Sequence, residues 1–171
     1  MTQKSIIISA GGIGKRMGAS IPKQFLLLDG RPVLMHTIER FLAFDATMQI
    51  ILVLPSNQID FWKALCVTHE FEVAIEVVKG GKERFHSVQN GLQVANGDII
   101  GVHDAVRPLV SKEVIERCFI GAEKYDAVIP VMPLIESIRQ VGQVESRAVD
   151  RSQFRLVQTP QCFKRNVLLK A

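Results

Sequence analysis

The feature that most constrains this chain is an alternation of short unbroken apolar runs with longer segments whose apolar residues recur every three or four positions. The runs fall at Ser5–Ala10, Gln49–Leu54, Val73–Val78, Asp98–His103 and Ala127–Val131. Each is too short for a helix and lacks the period-two pattern of a half-exposed strand, so each reads as a strand covered on both faces. Between the runs, Pro32 takes a first-turn position, and Val33, Ile38, Phe41 and Leu42 recur on one helical face. Further helices are predicted over about Ile59–Val67, Glu83–Ala95 and Lys112–Lys124. The last has Ser111 as its N-cap, with Val114, Ile115 and Phe119 behind it. Strands and helices in this order give an α/β fold, a mostly parallel central sheet with helices on both faces.

The 171 residues suit one domain, residues 1–171, with enough chain to bury a single core. After Val131 the pattern changes. Leu134–Arg151 mixes polar and apolar residues at near-alternating spacing around Gly142, which predicts a projecting β-hairpin arm at about 134–151. A dimer contact and an unpartnered surface hairpin fit that pattern equally. The formal charge of +4 is modest and its cations are mostly interleaved with acids, which favours a small phosphorylated ligand over nucleic acid. With aromatic residues at 6%, platforms for stacking single-stranded bases are scarce. Cys66, Cys118 and Cys162 are scattered without metal-binding spacing, as expected of buried thiols in a reducing compartment. No stretch reaches the roughly 20 apolar residues of a membrane span. A cytoplasmic protein without a membrane partner is expected.

In such sheets ligands bind beyond the carboxyl ends of the strands, so the chemistry is sought in the segments that follow them. The first is Ala10-Gly11-Gly12-Ile13-Gly14-Lys15-Arg16-Met17-Gly18, with Pro22-Lys23 after it. Glycines let backbone N–H groups approach phosphate oxygens, and Lys15, Arg16 and Lys23 add positive charge. The spacing fits neither a P-loop nor a dinucleotide fingerprint, which disfavours a nicotinamide-dependent dehydrogenase. The second segment, Gly80-Gly81-Lys82-Glu83-Arg84-Phe85-His86-Ser87, opens a helix; it suits a base or ribose against bare backbone, or is simply a strand-to-helix turn. The third, His103-Asp104-Ala105-Val106-Arg107-Pro108, puts an acid where Mg²⁺ bound to a triphosphate would need one. Arg107 suits an acceptor phosphate, and a structural Asp104–Arg107 pair is the competing reading. His103 reads as a packed strand residue. In the fourth, Arg151 and Thr159 are phosphate-competent and Pro160 fixes a turn. No nucleophile elbow, Cys–His pair or zinc cluster is present, so the chemistry must rest on positioning and electrostatics, as phosphoryl and nucleotidyl transfer do.

Taken in order, AGGIGKRMG…PKQFL (Ala10–Leu26), GGKERFHSVQNGL (Gly80–Leu92), HDAVRP (His103–Pro108) and VDR…QTPQCF (Val149–Phe163) resemble the cytidylyltransferases of sugar-alcohol phosphates. The match is best to the 2-C-methyl-D-erythritol 4-phosphate branch of the non-mevalonate isoprenoid pathway. It spans about Ser5 to Phe163. The resemblance implies a Rossmann-like three-layer nucleotidyltransferase domain that moves CMP from CTP to the acceptor phosphate. Ala10, Gly11, Gly12 and Gly14, with Lys15 and Arg16, would hold the CTP phosphates, and Lys23 would neutralise the α-phosphate. Gly80, Gly81 and Ser87 would recognise cytosine, and Asp104 would hold Mg²⁺. Ala105, Arg107, Ser137, Arg151 and Thr159 would meet the acceptor, with Arg151 offered across a homodimer joined by the arm. Lys82 departs from the acid some members carry beside the paired glycines. Members also continue past Ala171 through a further strand and a substrate-binding lysine, so the resemblance implies a truncated C-terminus. The rivals are a ribitol-5-phosphate cytidylyltransferase, disfavoured by Ser87-Val88 and Val149-Asp150-Arg151, and a truncated, non-catalytic nucleotide-binding module.

Overall fold

The computed structural model describes residues 2–11 and 21–170. The chain opens with strand β1 (Lys4–Ser9), and the short strands β2 (Leu27–Leu28) and β3 (Arg31–Pro32) lead into helix α1 (Val33–Phe44). Strand β4 (Gln49–Leu54), helix α2 (Ile59–Thr68), strand β5 (Ile75–Lys79), helix α3 (Arg84–Val94), strand β6 (Ile99–Asp104) and helix α4 (Lys112–Lys124) continue the alternation. The C-terminal part holds β7 (Ala127–Val128), β8 (Val131–Pro133), β9 (Arg139–Val141), β10 (Ser146–Ala148), β11 (Arg155–Val157), β12 (Gln161–Lys164) and a short helix α5 (Arg165–Leu168).

The central sheet runs β5-β4-β1-β6-β12-β7. Strands β5, β4, β1 and β6 are mutually parallel, while β12 is antiparallel to both β6 and β7. Alternation within the buried strands sorts the core into two layers. Ile6, Ile8, Ile50, Leu52 and Leu54 face α1, α2 and α4 with Leu34, Trp62 and Phe119. Ile7, Ile51, Val53 and Ile100 face α3 through Leu92 and α5 through Leu168. Strands buried on both faces are why the sequence shows unbroken apolar runs there. The three-layer α/β architecture expected from the pattern is therefore present.

Several boundaries move. Pro32 lies one residue before the helix, at its N-cap, with ψ 135°. Asp29 and Gly30 both take positive φ, 50° and 75°, making the two-residue turn between β2 and β3 that an Asp-Gly pair favours. The run Ala127–Val131 divides into β7 and β8, which belong to different sheets. Pro130 stands between them and has no N–H to carry a ladder onward. Phe163, the last residue of the matched segments, lies in β12, and α5 begins two residues later at Arg165. Ser111 caps α4 as expected, its side chain accepting from the Val114 N–H. The arm is a hairpin: β9 pairs with β10 around Gly142, whose N–H donates to the Glu145 carbonyl at 2.8 Å, and β8 pairs with β11 at its base.

Candidate active site

Strand order reverses between β1 and β6: the chain builds outward through β4 and β5, then returns to β1's other side. Such a switch leaves a crevice at the carboxyl edge. A cavity of about 880 Å³ opens there, lined by Ala10, Lys23, Gly80, Ser87, Asp104 and Arg107 among others. Three segments singled out from the sequence thus converge, although Ala10 precedes Gly80 by 70 positions and Asp104 by 94. Its charged lining among the described residues is Lys23, Lys82, Arg84 and Arg107 against Glu83 and Asp104, an excess of cations suited to a polyphosphate.

Gly81 is where the chain can carry no side chain: a Cβ there would lie 2.3 Å from the His86 Cβ. The Gly81 N–H donates to Ser87 Oγ at 3.1 Å, and the Gly80 N–H donates to the Leu54 carbonyl at 2.7 Å. Ser87 is buried, so its hydroxyl is fixed against the paired glycines at the start of α3. Bare backbone and one rigid hydroxyl make a surface on which a flat base can lie.

At the end of β6, Asp104 receives Arg84 on Oδ1 at 3.1 Å and Arg107 on Oδ2 at 2.8 Å. The Asp104–Arg107 pair weighed from the sequence therefore forms, but it faces the cavity and shares its carboxylate with a second arginine. The one signal that the sequence holds for Arg84 is its place as the first residue of α3, three positions after the paired glycines. Arg107 also donates to Gln158 Oε1 at 2.5 Å. Among the described residues no three His, Cys, Asp or Glu side chains gather as a metal cage. One cavity-facing carboxylate fits a cation that takes its other ligands from phosphate and water, as Mg²⁺ does.

His103 is fully buried, with its ring edge-on to Phe41 at 4.8 Å. Burial pulls its pKa down to about 4, against the opposing influence of the Arg107 carbonyl and Asp104. Nε2 lies 3.2 Å from the Arg107 carbonyl, an acceptor, so that nitrogen carries the proton. Nδ1 then accepts from the Thr159 hydroxyl at 2.9 Å, and the same hydroxyl oxygen receives the Asp104 N–H at 3.4 Å. The neutral imidazole thus ties together Asp104, Arg107 and Thr159. Thr37, on α1, holds the same turn by donating to the Ala105 carbonyl at 2.8 Å. The sequence gives no sign of this contact, since one threonine in an amphipathic helix looks like any other.

Gly12, Gly14, Lys15 and Arg16 lie outside the described residues. Thr159 borders a second, more apolar cavity of about 850 Å³ that shares Val106 and Arg107 with the first. Ser137 and Arg151 lie on the exposed arm, away from both cavities, and the Arg151 guanidinium donates to the Ile135 carbonyl. No helix among the described residues is long and apolar enough to cross a membrane.

A family model described as IspD, 2-C-methyl-D-erythritol 4-phosphate cytidylyltransferase, matches residues 5–171. The enzyme of that name from Bacteroides thetaiotaomicron is 52% identical over 170 residues, 99% of this chain and 78% of its own length. The 4-diphosphocytidyl-2C-methyl-D-erythritol synthase of Anaerococcus prevotii superposes with a TM-score of 0.83 at 24% identity, covering 99% of this chain and 74% of that one. At that identity the likeness speaks for the fold. The Francisella tularensis 2-C-methyl-D-erythritol 4-phosphate cytidylyltransferase superposes at 0.79 with 30% identity, over 99% of this chain and 76% of its own.

Proposed function

Since this chain belongs to the 2-C-methyl-D-erythritol 4-phosphate cytidylyltransferase family, we infer that it transfers CMP from CTP to 2-C-methyl-D-erythritol 4-phosphate. The products are 4-diphosphocytidyl-2-C-methyl-D-erythritol and pyrophosphate, and the step belongs to non-mevalonate isoprenoid synthesis. The observation that carries the reading is a cation-rich cavity that gathers Lys23, the paired glycines, Ser87, Asp104 and Arg107.

An acceptor phosphate oxygen attacks the α-phosphorus of CTP in line. The new P–O bond forms the diphosphate linkage as the bond to the β-phosphate breaks and pyrophosphate departs. A phosphate monoester is already nucleophilic at neutral pH, so no general base is required. The neutral, fully hydrogen-bonded His103 fits that economy, since it has no free lone pair to offer. Lys23 neutralises the α-phosphate as charge builds on its oxygens, the kind of stabilisation that dominates such reactions. Ala10 and Gly11, with Gly12, Gly14, Lys15 and Arg16, hold the triphosphate. Gly80, Gly81 and Ser87 seat the cytosine.

Asp104 would hold Mg²⁺, which when bound would neutralise phosphate charge and orient the triphosphate. Arg84 and Arg107 pair with the Asp104 carboxylate and are long enough to turn to phosphate oxygens. Ala105, Arg107 and Thr159 border the acceptor, whereas Ser137 and Arg151, away from this chain's own cavities, would meet an acceptor only across a dimer. Exposed Ile135, Val141 and Val144 give that arm the apolar surface of a homodimer contact, through which Arg151 would serve the neighbouring site. A cytoplasmic location suits the CTP requirement and three free cysteines.

The test is pyrophosphate release by this chain with CTP and Mg²⁺, comparing methylerythritol 4-phosphate with ribitol 5-phosphate. Release with methylerythritol phosphate alone is expected. Release with ribitol phosphate alone, or with neither, overturns the assignment of substrate or reaction.

A further inference from the structure

We propose that Gln24 is a positioning residue for nucleotidyl transfer: it ties the Lys23–Phe25 turn to Ala10 and Gln58 and thereby fixes Lys23 at the cavity wall. The inference rests on the role given to Lys23 above. Gln24 is 1% exposed, unusual for a glutamine, and its amide nitrogen makes two hydrogen bonds. One runs to the Ala10 carbonyl at 2.9 Å and the other to Gln58 Oε1 at 2.8 Å.

These contacts join three elements at the carboxyl edge of the sheet. Ala10 follows β1, and its own N–H donates to the Val53 carbonyl of β4 at 2.9 Å. Gln58 is nearly buried and ends the 3-10 turn Ser56–Gln58 that follows β4, where its N–H donates to the Pro55 carbonyl at 2.9 Å. Gln24 sits in the 3-10 turn Lys23–Phe25, closed by the Phe25 N–H on the Pro22 carbonyl at 2.9 Å. On its other side that turn is anchored by Phe25, packed edge-on against Phe61 at 5.2 Å and stacked with Trp62 at 6.4 Å. With Phe25 held in the core and Gln24 held to two strands' ends, the preceding residue, Lys23, has its backbone fixed and lines the cavity.

The chemistry selects glutamine. A primary amide nitrogen carries two donors, and both partners here are acceptor oxygens. Glutamate would set a carboxylate against a carbonyl, and methionine would fill the same space while leaving both acceptors unpaired. Either change loosens the Lys23–Phe25 turn and lets the Lys23 ammonium drift from the α-phosphate, and displacements of that order in a positioned group cost catalysis steeply.

The experiment is a kinetic double-mutant cycle between Gln24→Met and Lys23→Ala, with turnover read as pyrophosphate release and folding followed by the fluorescence of Trp62. In the parent background Gln24→Met is expected to lower kcat by about 10- to 100-fold, with KM for the acceptor within about twofold. In the Lys23→Ala background it is expected to cost less than about threefold more, because its effect passes through the missing ammonium. Ile51→Val, on the opposite face of the sheet, controls for a general loss of stability and should leave kcat unchanged. Should Gln24→Met not fold, Gln58→Leu removes one of the two bonds and is expected to lower kcat by about 3- to 10-fold with the same non-additivity. Parental kcat in the folded Gln24 or Gln58 variant, or equal losses with and without Lys23, overturns the proposal. Parental kcat in Lys23→Ala instead overturns the role of Lys23 itself, and the role of Gln24 falls with it.

Discussion

Acidifying the protein from about pH 7 to about pH 4.5 is expected to remove about 2.5 kcal/mol of folding stability through His103 alone. In the folded state burial holds this imidazole's pKa down to about 4, while the unfolded chain gives it the ordinary value of 6.5. Above 6.5 neither state is protonated, and the contribution of the neutral ring is complete. Between 6.5 and 4 the unfolded chain takes up a proton that the folded protein refuses, so stability falls as pH falls. At about pH 4.5 two pH units separate the solution from the unfolded value, each worth about 1.4 kcal/mol, and slight protonation of the folded state trims the total to about 2.5 kcal/mol. For a chain of this size that lowers Tm by about 5 to 10 °C.

Urea unfolding followed by Trp62 fluorescence measures it, since this is the sole tryptophan and is 2% exposed. The comparison is with His103→Gln, which loses stability near neutral pH but has no titrating ring at that position. The two proteins' stabilities should converge by about 2.5 kcal/mol on acidification. Parallel pH profiles would refute the reasoning. So would a His103 ring resonance titrating near 6.5, because the Nε2–H bond to the Arg107 carbonyl and the Thr159 bond to Nδ1 would then not be those of a neutral, buried imidazole.

Other perturbations have separate readouts. Lys23→Ala is expected to lower kcat by about 10²- to 10³-fold with an unchanged thermal melt, measured as pyrophosphate release. Gly81→Ala drives a Cβ into His86 and displaces the start of α3, so KM for CTP should rise at least about tenfold, and a parental KM would show the paired glycines to be a turn only. Ser111→Ala removes the cap of α4 and should cost about 1 kcal/mol in urea unfolding without changing turnover. Asp104→Asn should abolish Mg²⁺-dependent release and weaken Mn²⁺ binding to the CTP complex, yet change stability by less than about 1 kcal/mol, since its ion pairs are partly exposed.

What the sequence discloses, and what it hides, follows from where the information lies. Gln49–Leu54 and Lys112–Lys124 are legible to the residue because burial on both faces, or on one helical stripe with Ser111 before it, writes itself into local pattern. Gly80-Gly81 and Asp104 are legible as ligand-edge residues because they directly follow such runs. Strand β12 is not: its four residues, Gln161–Lys164, mix polar and apolar, and only pairing with β6 and β7 makes them a strand. Gln24, Gln58 and Thr37 look like surface residues because polar side chains are mostly exposed, and their burial depends on acceptors supplied from distant segments. Arg84 meets Asp104 only once α3 and β6 are placed side by side.

The antiparallel β12 accounts for how residues that do not leave a parallel strand come to the cavity edge of the sheet. In a wholly parallel sheet the ligand edge receives only segments that leave strands at their carboxyl ends. A strand running the other way beside β6 brings its amino end to that edge, with Gln161 opposite Val102, so the residues before it arrive next to the end of β6. Those residues are Gln158 and Thr159, which bond Arg107 and the His103–Asp104 turn. The same geometry roots the hairpin arm, since its base strands β8 and β11 lie between the end of β7 and the beginning of β12, at the cavity side of the sheet. One unbroken series of polar contacts therefore runs from Arg84 through Asp104 and Arg107 to Gln158. It joins the helix that opens after Gly80-Gly81 to the segment that carries the arm, and β12's direction is what allows the two to meet.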